Sequence, residues 1–235
     1  MESKGFSIGT LLKRGWHLMM EHIGMFVVFE VLFVIFVGIA YCAVAFFPEI
    51  HIALQVLICV VSLLLALTVK IGMFKFSVKV VDGTPPTFTD LFSGVTLLVQ
   101  WILASIVFGL MVGIPIVIGS LIFYGLAQLD SVVAVFIGMG VIYVSYLVSV
   151  YLGVRYWVWP FAMVDKHSNP MTALQKSSTL TCGAMWDVLF MTVAAGFLMY
   201  LGVFVVFIGA LAAFPVILFA QAGMYRVLES QTKSE

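Results

Sequence analysis

Glu30 is the residue whose position most demands a chemical explanation. It is the only charge between His22 and Pro48, inside a continuous apolar run. A carboxylate at membrane depth marks a functional-site candidate, because stripping it of water is costly unless something pairs with it. Lys70 lies at a similar depth in the next apolar run, so a Glu30–Lys70 pair could serve a proton or cation step in transport. Read structurally, the same pair is a polar clamp between two helices, or a neutral Glu30 reaching for the interface. Gln100 is a further polar group that an intramembrane pathway could use. His17 and Glu21 are spaced i,i+4 and could share a metal, with His22 beside them. Three ligands from one short segment do not complete a site, so this cluster reads as an exposed interfacial face and no metal is expected. Cys42, Cys59 and Cys182 fit neither a zinc spacing nor a disulfide framework and read as buried structural thiols. Asp82, Asp90, Asp165 and Asp187 match no phosphate or metal motif. No catalytic constellation is present, so the expectation is a protein without catalytic residues or cofactor.

The elements that position these residues follow from composition. Apolar residues make up 63% of the 235 and charged residues 9%, with 11 basic and 11 acidic side chains in balance. Mean hydropathy is +1.21. An ordinary soluble fold and a disordered chain are both excluded. A net charge of zero gives no ground for a nucleic-acid partner. The expected partner is the lipid bilayer, with a single integral membrane domain over 1–235. Lys4, Lys13 and Arg14 precede the apolar run Ile23–Phe47, which exceeds the ~7–15 residues of a signal-peptide core. That run reads as a first membrane helix and not as a cleaved leader.

Crossing a hydrocarbon core ~30 Å thick takes ~20 apolar residues as a helix. The sequence predicts an all-α polytopic fold with helices at about 23–47, 52–74, 94–126, 132–157, 187–207 and 210–226. They pair as three hairpins. The stretches 91–129 and 188–225 carry no charge and are each longer than one crossing needs. Cytoplasmic loops collect Lys and Arg. Six crossings with both termini in the cytoplasm put every basic residue on one side. Helix three is then long, tilted or kinked at Pro115, and the last run turns near Gly209, with Pro215 beyond it. Trp16, Trp157, Trp159 and Trp186 fall at the inner edge, where indole rings are favoured. The segment 158–186 reads as a cytoplasmic connector. Within it, 169–183 reads as a surface helix along the inner leaflet, with Asn169 as N-cap, Pro170 in the first turn and Gly183 as terminator. Met171, Leu174 and Ser178 would share its face. The alternative is a plain polar connector.

Small residues spaced by four let helices approach closely in lipid. Ser105, Gly109 and Gly113 on helix three, and Ser145, Ser149 and Gly153 on helix four, predict that these two helices touch. The same face could pair two copies of the chain. A faint repeat runs through the sequence. Val81-Asp82 recurs as Val164-Asp165, and Thr89 and Leu91 recur as Thr172 and Leu174, at one common offset. Phe6-Ser7 stands in the same way before Phe88-Thr89.

The run Ala173-Leu174-x-x-Ser177-x-x-Leu180-Thr181-x-Gly183-x-x-Trp186 follows Arg155, Pro160 and Val164-Asp165. It resembles the signature loop of a bacterial group of six-helix inner-membrane proteins, the glycerophosphoryl diester phosphodiesterase membrane domain and its relatives. Pro86-Thr87-Phe88-Thr89-Asp90-Leu91-Phe92 is similar to the loop before helix three in that group. The resemblance implies a six-helix inner-membrane fold. The phosphodiesterase activity of the family belongs to a separate soluble domain fused to some members. That domain needs paired carboxylates, histidines and a metal site, which this sequence lacks. The membrane part supplies no catalytic residue to carry over.

The leading expectation is a non-enzymatic, multi-pass protein of the inner membrane that organises or assists other membrane components, or copies of itself. The alternative is a small oligomeric transporter or channel for a lipid-like or small solute. A cavity lined by Glu30, Lys70 or Gln100 would favour the alternative.

Overall fold

The computed structural model describes residues 6–46, 51–85, 87, 89–129, 131–166, 169–204 and 208–233. The elements run α1 (Ile8–Ala45), α2 (Ile52–Val81), α3 (Thr89–Phe92), a 3-10 segment (Ser93–Leu97), α4 (Leu98–Ala127), α5 (Val132–Arg155), α6 (Trp159–Lys166), α7 (Pro170–Thr181), α8 (Met185–Phe204) and α9 (Ile208–Lys233). Among the described residues, six helical stretches are long and apolar enough to cross a membrane. Three antiparallel hairpins result, α1–α2, α4–α5 and α8–α9, and α1 and α2 also pack on α9. The turns expected at Pro48–Glu49 and Asp130 lie outside the described residues.

The helices run further at one end than the apolar runs alone require. α1 begins at Ile8 and not near 23, with its one non-helical residue at His22 (φ −117°, ψ 17°). The break frees a carbonyl, and His22 Nδ1 donates to Leu18 O at 3.1 Å. α2 continues past Lys75 and Lys79 to Val81 and stops at Asp82 and Gly83, whose φ of +72° suits glycine. Arg14, Lys75, Lys79, Arg155, Lys176 and Arg226 all make their contacts at this end of the bundle, called the charged end below. Pro115 and Pro215 both lie within unbroken helices, α4 and α9.

Burial is unequal. In its most apolar window the 93–127 stretch is 6% buried, whereas the 211–232 stretch is 67% buried. The α4–α5 hairpin thus presents most of its surface outward, while α9 runs through the centre.

The 158–186 connector contains a second helix besides the one expected at 169–183, and both pack into the bundle. Tyr156–Val158 breaks the helix after α5, and α6 turns inward, with Pro160 in its first turn where no N–H is needed. Val158, Phe161, Ala162, Met163 and Val164 are all buried. α2, α6 and α9 touch one another pairwise and form the core at the charged end. α7 does not turn the expected face wholly outward. Ala173, Leu174, Ser177, Leu180 and Thr181 are buried against the bundle, and α7 packs on α4, α5, α6 and α9. Its apolar stripe therefore meets protein, and Met171 stays outside that contact. Trp159 is also buried, 4.8 Å from Trp101 between ring centroids, whereas Trp16, Trp157 and Trp186 are exposed. The cysteines are not buried thiols. Cys42 and Cys182 are exposed and Cys59 is half-buried.

Candidate functional site

A cavity of about 510 Å³ opens among four helices, within the ~300–1,000 Å³ of small-molecule sites. α1 supplies Glu30, Phe33 and Val34, which the i, i+3, i+4 spacing puts on one face. α2 supplies Lys70 and Met73, α8 Met199, and α9 Leu211 and Phe214. Glu30 is 7% exposed. Among the described residues no hydrogen bond or ion pair reaches its carboxyl group, and none joins it to Lys70. Lys70, Val34 and Leu211 are exposed, so the cavity opens sideways through the lipid-facing surface. Gln100 does not line it. It sits in the first turn of α4, and its buried Oε1 has no hydrogen-bond partner.

Four phenylalanines close the cavity toward the charged end. Phe26 and Phe29 on α1, Phe76 on α2 and Phe219 on α9 each lie beyond the lining residues of their own helix. Their centroids are 5.0 Å apart for Phe29–Phe76, 5.5 Å for Phe26–Phe76 and 5.3 Å for Phe26–Phe219, all edge-on. Such pairs each contribute ~0.5–1.5 kcal/mol beyond area burial.

Below this plug lies an ionic knot. Arg226 donates from Nε to Asp82 Oδ1 (2.8 Å), from Nη2 to Asp82 Oδ2 (2.5 Å) and Asp165 Oδ1 (2.6 Å), and from Nη1 to Glu229 Oε2 (2.7 Å). Lys176 of α7 donates to Glu229 Oε1 (2.8 Å) and lies 3.6 Å from Asp165 Oδ2. The Tyr225 hydroxyl accepts from Lys176 (2.5 Å) and donates to Asp165 Oδ2 (2.8 Å). Asp82 caps the C-terminus of α2, Asp165 lies near the end of α6, and Glu229 lies near the end of α9. Each follows two apolar residues: Val80-Val81, Met163-Val164 and Val227-Leu228. One guanidinium on α9 thus ties α2 and α6 to that helix, with Glu229 bracing it from one turn along α9. The sequence shows Asp82 and Asp165 only as acids that match no phosphate or metal motif, because their partner is remote: Asp82 and Arg226 are 144 residues apart. The recurring Val-Asp pair was the one available signal.

A second ion pair pins the loop after α2. Lys79 Nζ is 2.6 Å from Asp90 Oδ1, and the Thr87 N–H donates to Asp90 Oδ2 at 2.9 Å. Burial pushes the Asp90 carboxyl up, but the bonds from Lys79 and Thr87 outweigh it and hold the group below its usual range.

The residues of the family-like loop mostly serve the α5–α6 break. The Val158 N–H donates to Ser177 Oγ (3.2 Å), and Thr181 Oγ1 donates to Arg155 O (2.8 Å). Two backbone groups freed by the break are satisfied in this way. Arg155 Nε donates to Ser178 Oγ at 2.7 Å. Ala173, Leu174 and Leu180 pack into the core, and Gly183 ends the segment at φ +87°. Asn169 holds the N-cap place without a side-chain bond, and Trp186 projects outward.

α4 and α5 pack closely, but not through all the residues expected. Gly109, Gly113 and Gly153 have nothing within 4 Å of where a Cβ would stand. The close approach is at Gly119 against Ser145, and at Gly138 against Phe123. A spacing of four recurs on a helix face without saying which face meets a neighbour, and here the glycines at 109, 113 and 153 turn away. Ser145 and Ser149 donate back to Val141 O and Ser145 O on their own helix. Ser105 borders a smaller cavity of about 200 Å³ with Gln221 and Trp157. His17 Nδ1 is 3.3 Å from Glu21 Oε1 on an exposed face. No group of three or more His, Cys, Asp or Glu stands where it could hold a metal among the described residues.

No family model, curated protein or solved structure matches the chain. The reading of its role therefore rests on its own geometry. By helix length and hydropathy it is a multi-span membrane protein.

Proposed function

We propose that this is a non-enzymatic inner-membrane protein that takes a lipid-like molecule from the bilayer into the cavity between α1, α2, α8 and α9. The observation that carries the reading is Glu30: a buried carboxyl group without a protein partner, lining a side-opening apolar cavity. An intramembrane acid is tolerated when something completes it. Here the completing group comes from a ligand whose chain lies along Phe33, Met73, Met199 and Phe214. The threading belongs to the proposal. The basic contacts gather at one end, which the excess of Lys and Arg in cytoplasmic loops supports as the inner face, with both termini in the cytoplasm. The likeness to the six-helix membrane-domain group belongs to it as well, without any phosphodiesterase chemistry.

A scaffolding role is the second reading. The outward-facing α4–α5 hairpin favours it, since much of that apolar surface stays open to another membrane component. Solvent extraction of the detergent-purified chain, followed by mass spectrometry of the extract, separates the two. A retained lipid that is absent from a Leu211→Trp variant supports the cavity reading. An extract unchanged by Leu211→Trp leaves scaffolding as the better account.

A further inference from the structure

The geometry points to the class of molecule that fits this cavity: a zwitterionic lipid whose head group carries a primary ammonium beside a phosphate. This rests on the cavity reading above and goes beyond it.

Glu30 and Lys70 are the two charged residues that line the cavity, and they do not bond to each other. A protein that used them only to clamp α1 to α2 would bring them into contact. Held apart along one apolar wall, they offer an acceptor and a cation to two different groups of one ligand. Glu30 is the better buried and meets the group that donates. A charged donor satisfies it most strongly, because charge-assisted hydrogen bonds are shorter and about twice as strong as neutral ones. Lys70 is exposed at the mouth, on a flexible stem, and suits a phosphate as a point charge.

The alternatives fit less well. A purely anionic amphiphile, such as a fatty acid or a glycerol-headed phospholipid, would meet Lys70 but leave Glu30 facing like charge. A lipophilic cation would meet Glu30 and be repelled by Lys70. A choline head group carries both charges, but its methylated nitrogen has no N–H to give the carboxyl group. A primary ammonium keeps three donors. The phenylalanine plug sets the other boundary. Phe26, Phe29, Phe76 and Phe219 close the path to the charged end, so the head group enters from the side, with its lipid, and not from the aqueous end.

The test uses the full chain in nanodiscs holding equal amounts of ethanolamine, choline and glycerol phospholipids with identical acyl chains. Mild delipidation is followed by native mass spectrometry of the lipid retained. The wild type is expected to keep the ethanolamine lipid about tenfold over the choline lipid, the difference one charge-assisted hydrogen bond makes. Glu30→Gln should bring that ratio close to one. Lys70→Met should cut retention of the ethanolamine lipid relative to a long-chain primary amine that lacks phosphate. Equal or better retention of the glycerol lipid by the wild type overturns the inference without needing any variant. So does an ethanolamine-to-choline ratio that Glu30→Gln leaves unchanged in a protein of normal elution and melting. In both cases the cavity reading survives if Leu211→Trp still expels lipid. If Leu211→Trp expels none, that reading fails and this inference fails with it.

Discussion

Replacing Arg226 by methionine removes the one group that joins α2, α6 and α9. Four charge-assisted hydrogen bonds are lost, and Asp82, Asp165 and Glu229 are left around an apolar stem. Removing one partner of a buried ion pair costs ~3–5 kcal/mol, because the remaining charge stays desolvated. That range needs adjusting here. Asp165 and Glu229 side chains are 11% and 8% exposed and bear the penalty in full, but Asp82 at 33% regains much of its hydration. Lys176 also still faces Glu229 and Asp165. The low end, about 3 kcal/mol, is the expected loss. At ~2–4 °C per kcal/mol for a chain of this size, melting in detergent should fall by about 6–12 °C. Arg226→Lys should fall between, since an ammonium cannot bridge Asp82 with two parallel bonds. A quadruple variant that adds Asp165→Asn, Glu229→Gln and Lys176→Met to Arg226→Met should recover more than half the loss, because the stranded acids go with Arg226 and Lys176, which pairs with the same two acids, goes with them. An Arg226→Met protein melting within about 2 °C of the wild type, or a quadruple variant less stable than the single one, would refute the idea that this knot holds α2, α6 and α9 together.

Gly138→Ala should destabilise by ~1–3 kcal/mol, since the new methyl group meets the Phe123 ring at 2.9 Å, while Gly113→Ala should be neutral or stabilising by ~0.4–1 kcal/mol; thermal melts compare the two. Thr181→Val should leave the Arg155 carbonyl only the long 3.4 Å bond from Ser177 Oγ and cost ~0.5–1.5 kcal/mol, with faster hydrogen exchange confined to 156–160. The Asp90 carboxyl is held below its ordinary value of 3.8, so its contribution to stability is full above that value and is lost as pH falls through the lower folded value. Asp90→Asn should therefore lower stability at neutral pH and reduce the acid sensitivity seen below about pH 4 in a series of melts.

The six membrane-length helices and their pairing were legible because charge-free runs of that length leave few ways to divide the chain. The bounds at the charged end were not. At Lys75, Lys79 and Glu21 the apolar pattern thins while the helix goes on, since a helix leaving the bilayer keeps its backbone bonds and changes only its surface. α6 was hidden for a related reason. Asp165 and Lys166 colour the segment as polar, while the six apolar residues among 158–164 that fill the core are too few to read as a crossing. Glu30 and Lys70 stood out singly, as charges in apolar runs, and they line one cavity. Gln100, chosen on the same ground, sits elsewhere, because depth along a helix says nothing of which neighbour a face meets. The knot depends on Asp82 and Arg226, whose spacing in the chain carries no local pattern.

The most direct test of the cavity's role is a structure of the chain in lipid nanodiscs at a resolution that shows head groups. The account predicts a lipid chain along Phe33, Met73 and Phe214, with a head-group atom within ~2.6–3.2 Å of the Glu30 carboxyl group. A cavity closed by its own side chains, or Glu30 bonded to Lys70 with no lipid between the helices, would contradict it.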